Sequence, residues 1–189
     1  PLLKTRSQSF SALIHEVEIT RLHRLVTACL EWDKNRAPFV IEAIEQEFTI
    51  QLAGLDFRVR VDRLDKTSTK NKWVIDYKSS LPSSKPWNEE RPEAPQLLLY
   101  ALLDDSINTL LFVQLKAGRV TCSGLSDDDT DIQGVSTLKK DDSWALRQQQ
   151  WRQQLTELAS EFAQGHCPPQ PNRASTCQQC DFSSLCRIE

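Results

Sequence analysis

Apolar positions recur along the chain in three rhythms, and each predicts an element. From Ser9 to Trp32, the residues Phe10, Leu13, Ile14, Val17, Leu25, Cys29 and Trp32 return at the spacing of an amphipathic helix. Cys29 falls on that stripe, as a buried core thiol does. From Glu42 the period drops to two. Ile44, Phe48, Ile50 and Leu52 share one face of a first strand. Leu55, Phe57, Val59 and Val61 share one face of a second strand that runs to Leu64, with Arg58, Arg60 and Asp62 opposite. The Ala53-Gly54 step between the two predicts a tight hairpin. After a polar loop from Lys66 to Asn71, the unbroken run Trp73-Val74-Ile75 marks a third strand, Lys72 to Lys78, buried on both faces.

Proline and glycine punctuate the second half. Pro82, Pro86 and paired serines make Ser79 to Glu90 a loop. Pro92 and Pro95 open a helix that runs to about Asp104. Thr109 to Leu115 and Arg119 to Cys122 form a hairpin across Ala117-Gly118, with Cys122 packed in the strand. Ser123 to Asp142 is an acidic loop with some strand. Ser143 to Gln164 is a long helix with Trp144, Trp151, Leu155, Leu158 and Phe162 available for packing. The order predicts an α/β fold, a central mixed β-sheet flanked by helices. Three segments follow from it: a helical stretch at 1–40, a core at 41–165 and a cysteine-rich tail at 166–189.

Composition narrows the class. The longest apolar run, Leu97 to Leu103, is far too short to span a bilayer. No basic segment followed by an apolar one opens the chain, so no secretory signal is read. The chain begins at Pro1 and contains no methionine, which points to a piece of a longer polypeptide. Its formal net charge of −3 weighs mildly against nucleic-acid contact, since such surfaces are usually basic. Three of the six cysteines crowd together as Cys177-x2-Cys180-x5-Cys186, a metal or cluster spacing more than a disulfide framework. A reducing, cytoplasmic compartment follows.

The candidate chemistry sits on the second and third strands. Asp76 and Lys78 are two apart and so share a face, and Asp62 ends the neighbouring strand. Two carboxylates with water and phosphate oxygens suffice for a Mg²⁺ ion. Lys78 beside them would orient an attacking water and stabilise developing charge. An Asp-x-Lys pair alone is weak, because exposed acids with a salt-bridging lysine are common. The apolar run before Asp76 strengthens it, since two buried acids are costly without a cation. Arg58, Arg60, Arg63 and Lys66 fit either phosphate contacts or a solvated strand face. The glutamine-rich face from Gln148 to Gln154 has no assigned chemistry.

Asp62-Arg63-Leu64-Asp65 followed by Val74-Ile75-Asp76-Tyr77-Lys78 resembles the motif pair of the RecB/AddB-like branch of the PD-(D/E)XK nuclease superfamily. Thirteen residues separate Asp62 from Asp76, which suits that pattern. The resemblance extends to Glu45-Gln46-Glu47-Phe48, with Glu45 as a further acid, and to Gln96-x3-Tyr100 on one helical face. It implies a restriction-endonuclease-like core and a Mg²⁺- or Mn²⁺-dependent DNA exonuclease of repair or recombination. It further implies single-stranded ends as substrate, a helicase-like region or subunit as partner, and a place in the nucleoid. Asp62, Asp76 and the Tyr77 carbonyl would hold the metal. Cys177, Cys180 and Cys186 resemble the trailing three ligands of an iron–sulfur cluster, with zinc as the chemical rival. Cys167 is a candidate fourth ligand.

The pattern also departs from the family. Its glycine before the first Asp is Val59 here, and Ser79-Ser80 replaces the Thr-Gly that follows the lysine. A metal-binding His is expected upstream. His15 and His23 are the available candidates, and both read as ordinary helix residues, so the true His and first cluster Cys are expected N-terminal to Pro1. The competing readings are a catalytically degenerate nuclease fold that binds DNA ends or braces a partner, and a small zinc module, which leaves the carboxylates unexplained.

Overall fold

A computed structural model describes residues 2–116, 118–139, 141–166, 168–169, 171, 174–178 and 180–186. The Phe10 side chain, Ala117 and Cys167, which carried expectations above, lie outside the described residues. The chain runs α1 (Leu2–Lys34), β1 (Phe39–Leu52), β2 (Leu55–Thr67) and β3 (Lys72–Lys78). A short turn of 3-10 helix at Pro86–Asn88 precedes α2 (Gln96–Ala101). Then come β4 (Ile107–Lys116), β5 (Arg119–Ser126), β6 (Val135–Thr137), α3 (Trp144–Ala163), α4 (Ala174–Gln178) and α5 (Ser183–Cys186).

The six strands form one sheet in chain order. β3–β4 and β5–β6 pair in parallel and the other neighbours antiparallel, so the sheet is mixed, as expected. The parallel step from β3 to β4 needs a crossover, and α2 lies in it. The turn between β1 and β2 is the predicted one: Ala53 and Gly54 both take positive φ (51° and 78°), as a two-residue hairpin matched to strand twist requires.

Each face of the sheet has its own core. On the front, Val61, Leu64, Val74, Leu110 and Phe112 pack against Leu97, Leu98 and Tyr100 of α2 and Trp151 and Leu155 of α3. Trp87 stacks on Phe112 (ring centroids 6.3 Å apart), and its carbonyl accepts the Trp151 indole N–H. On the rear, Trp73, Ile75, Leu111, Val113 and Cys122 meet Trp32 of α1.

Two expectations about the first strand and helix are corrected. Ile44 was placed with Phe48, Ile50 and Leu52, yet it is 63% exposed while Ile50 and Leu52 are buried. The alternation breaks at Glu45, a non-glycine residue with φ of 50°, and strand residues on its two sides face opposite ways. The α1 stripe was expected to pack along its length. Leu13, Ile14 and Val17 are exposed, and coverage begins only near Leu25, Ala28 and Trp32.

What seats the end of α1 is a charge quartet. Arg36, just past the helix, contacts Asp33 and Asp65, each at 2.9 Å. Arg63 contacts the same two acids at 2.8 and 2.7 Å. The Arg36 guanidinium lies 4.4–4.9 Å from the ring centroids of Trp32, Phe39 and Trp73. Two positive and two negative charges balance, so burial of the Arg36 side chain (3% exposed) and of Asp65 (0%) is compensated. Arg63 is therefore neither a phosphate contact nor a solvated residue, while Arg58, Arg60 and Lys66 are exposed.

Removing one member of such a quartet strands a buried charge. Arg36→Met should cost about 3–5 kcal/mol in urea unfolding, and Arg36→Met with Asp65→Asn should recover much of that loss. A loss under about 1 kcal/mol for the single variant would show that the quartet does not seat the helix.

Candidate functional site

The site lies where two strands part. β2 and β3 pair from Lys66↔Lys72 to Arg63↔Ile75. Beyond that point β2 pairs only with β1, and Asp76, Tyr77 and Lys78 pair only with β4. Val61 and Leu64, three residues apart, both enter the front core, so β2 twists sharply at Asp62. Asp62 stands at the fork. Its Oδ2 accepts the Tyr77 backbone N–H at 2.8 Å, replacing the ladder bond that the separated strand no longer supplies.

Asp76 faces the front core and is fully buried. Lys78 Nζ forms an ion pair with its Oδ2 at 2.7 Å, and the carboxylate oxygens have no hydrogen-bond partner beyond that contact. Burial pushes the Asp76 carboxyl above its ordinary value; the Lys78 ammonium pulls it back, and the Asp62 carboxylate adds to the upward shift.

Helix α2 closes the fork. Tyr100 Oη donates to the Arg60 carbonyl on β2. Gln96 Nε2 donates to Tyr100 Oη, and Gln96 Oε1 accepts from Lys78 Nζ at 2.8 Å. The directions are forced from one end. The Arg60 carbonyl can only accept, so the tyrosine donates to it and accepts from the amide, and the amide oxygen faces the ammonium. A single chain of hydrogen bonds thus spans the fork from β3 to β2. Burial raises the Tyr100 phenol above its ordinary value, with Asp76 and Asp62 acting the same way.

Asp62, Asp76, Lys78, Gln96 and Tyr100 are brought together, with Tyr77 between the two strand acids. Glu45 is not. It stands opposite Asp62 in register, since Ile44 pairs Arg63 and Gln46 pairs Val61, but its carboxylate is on Arg60 at 2.9 Å, and both side chains are exposed. His15 and His23 are exposed on α1. Cys177 is half-buried, and Cys180 and Cys186 are exposed free thiols, with the Phe182 N–H donated to Cys180 Sγ at 3.4 Å. Cys29 is half-buried beside the Tyr77 phenol instead of deep in a core.

Two supports escaped the sequence reading. Gln114, the register partner of Lys78, donates to the Ser79 carbonyl at 2.6 Å and fixes the end of β3. Its signal was a lone polar residue in the apolar run Leu110 to Leu115. Gln148 and Arg152 of α3 donate to the Ala101 and Leu102 carbonyls and so cap α2. That gives part of the glutamine-rich face a purpose, but nothing in the local pattern signalled it.

The fork suits a hard divalent cation. Asp76 presents two buried oxygens that lack hydrogen bonds, and Asp62 stands beside it. Among the described residues no three His, Cys, Asp or Glu side chains converge on one point. Magnesium does not require that, since it keeps several waters and takes one or two carboxylates plus phosphate oxygens. The cysteine tail, by the same criterion, holds no assembled site among the described residues.

A family model described as the PD-(D/E)XK nuclease superfamily matches residues 3–187. The solved structure of SSO0001 is similar over 97% of this chain and 77% of that one, at 18% identity and a TM-score of 0.41. No curated protein matches.

The buried, unsolvated Asp76 has a consequence for stability. Its unfolded carboxyl titrates near the ordinary value of about 3.9 and the folded one higher. Between the two, the native state binds more protons, so its stability falls as pH rises through that window and stays lower above it. Asp76→Asn should therefore raise Tm of the metal-free protein at pH 7, by about 2–4 °C for each kcal/mol relieved. The gap should narrow as pH falls through the window and close below pH ~3, where both states are protonated. A lower Tm for the variant at pH 7 would contradict the account.

Proposed function

The chain belongs to the PD-(D/E)XK nuclease superfamily, and we propose that it is a metal-dependent deoxyribonuclease domain of the RecB/AddB-like branch, acting on single-stranded ends in DNA repair or recombination. The observation that carries this reading is the Asp76 carboxylate, buried without a hydrogen bond at the fork where Asp62 and Lys78 meet. A domain with a structural role alone has no use for so costly a group.

Asp62, Asp76 and the Tyr77 carbonyl would hold Mg²⁺ or Mn²⁺. When bound, the ion supplies positive charge for the scissile phosphate and a more acidic water. Lys78, one-third exposed and oriented by Gln96, presents its ammonium to the attacking water and to the charge that develops on phosphate oxygens. Tyr100 holds Gln96 and, through Arg60, the width of the fork. Exposed Arg58 and Lys66 on β2 are available to the nucleic-acid backbone. No described helix is long and apolar enough to cross a membrane. The resemblance to the RecB/AddB-like branch supports a nucleoid enzyme working beside a helicase-like region.

The tail belongs to the same proposal. Cys177, Cys180 and Cys186 would ligate an iron–sulfur cluster, or zinc in its place, with a fourth thiolate from elsewhere. A visible chromophore in anaerobically purified protein distinguishes the cluster from colourless zinc.

One observation favours a second reading, a degenerate nuclease fold that binds DNA ends. Glu45, the further acid of the pattern, is paired with Arg60 and turned from the fork. Cleavage of 5′- and 3′-labelled single strands with Mg²⁺ or Mn²⁺ decides between them. Asp76→Ala should abolish cleavage, and Lys78→Ala should reduce it roughly 100- to 1000-fold. DNA binding without cleavage, or equal cleavage by wild type and Asp76→Ala, would favour the degenerate fold.

A further inference from the structure

We infer that Arg63 is a positioning residue, tying the Tyr77 peptide of the metal site to Asp33 at the end of α1. The inference rests on the proposed role of the Tyr77 carbonyl, but its geometry is independent of that role. All five N–H donors of Arg63 are used. Nε and Nη2 fork onto Asp65 at 2.7 and 3.0 Å. Nη1 and Nη2 fork onto Asp33 at 2.8 and 3.2 Å. The remaining Nη1 hydrogen goes to the Tyr77 phenol oxygen at 3.2 Å. Phe39 lies under the guanidinium, 4.9 Å from its ring centroid.

Tyr77 needs such a hold. It lies beyond the last β2–β3 pair, so on that side no ladder bond fixes it. Two side chains of β2 take over from opposite faces. Asp62 grips the Tyr77 N–H from the front, and Arg63 grips its phenol from the rear. The phenol accepts from Arg63, which leaves its own hydrogen toward Cys29 Sγ, 4.0 Å away. Consecutive residues of one strand thus clamp a single residue by its backbone and by its side chain, and the rear jaw is anchored on α1. A lysine could not replace Arg63, because one ammonium cannot form two forks and a fifth bond.

Residue-resolved amide exchange on the metal-free protein reads this positioning without reference to catalysis. Tyr77→Phe keeps the ring and deletes the phenol link while leaving all four members of the charge quartet in place. In this variant the residue 77 amide should exchange about tenfold faster, the equivalent of one hydrogen bond, while the Leu111 and Val113 amides of β4 change by less than about twofold. Mn²⁺ binding by calorimetry should weaken about tenfold, as expected when a group supporting a ligand is lost. An unchanged residue 77 amide, or β4 amides that accelerate with it, would overturn the inference, the latter by showing general loosening. Faster exchange confined to residue 77 in a protein that binds no Mn²⁺ would uphold the positioning and sink the metal reading instead.

Discussion

The front half of the structure is organised around one unfavourable fact, a carboxylate buried in the sheet without a hydrogen bond. Desolvating Asp76 costs more than the single ammonium of Lys78 returns, and its carboxyl is shifted upward accordingly. The surrounding groups hold that arrangement in place. Lys78 is kept near the carboxylate by Gln96, Gln96 by Tyr100, and Tyr100 by the Arg60 carbonyl across the fork. The helix carrying this chain is only six residues long and could not stand alone. Gln148 and Arg152 of the much longer α3 satisfy its last carbonyls, and Trp151 packs against the turn that places Trp87 over Phe112. Phe112 is the register partner of Asp76, so the same aromatic stack stands on the strand beside the buried carboxylate.

The rear half answers a different problem, that of attaching a long helix by its end. Residues 62 to 65 read as one motif, but the fold divides them. Asp62 serves the fork, Leu64 the front core, and Arg63 and Asp65 the rear quartet. A strand can do this because its side chains alternate in direction. The quartet is neutral and its members are close, the conditions under which buried ions are tolerated. Arg63 is held strongly protonated by its carboxylate partners despite its burial, and the Tyr77 phenol beside it is pushed up to about 12, chiefly by burial.

How much was legible follows from where each signal resides. The β1–β2 turn, the three strands around it and the Asp62, Asp76 and Lys78 cluster depend on local pattern, and local pattern showed them. The facing of Ile44 failed because one residue, Glu45, adopts a left-handed backbone that no side-chain period reveals. The packing of α1 failed for the opposite reason. Its apolar stripe is real, but no described residue of this chain covers Leu13, Ile14 or Val17. Arg63 was misjudged because its partners lie 30 residues upstream and 14 downstream, and a charged residue on an alternating strand ordinarily faces solvent.

Glu45 also bears on the difference between a working site and a degenerate one. Its pairing with Arg60 turns it from the fork, but both partners are more than half exposed, and such pairs contribute about 0–1 kcal/mol. That is a weak hold. The backbone at Glu45 is less easily explained, because a left-handed conformation costs a non-glycine residue roughly 1 kcal/mol or more. This strain falls on the residue opposite Asp62, where the sheet twists and the two strands part. A surface ion pair of so little worth does not account for it, whereas the reversal of side-chain facing does, since Ala43 before it and Phe48 and Ile50 after it all reach the front core. The strain therefore belongs to the reversal of the strand beside the fork, and the Glu45 side chain it carries outward is only lightly held by Arg60.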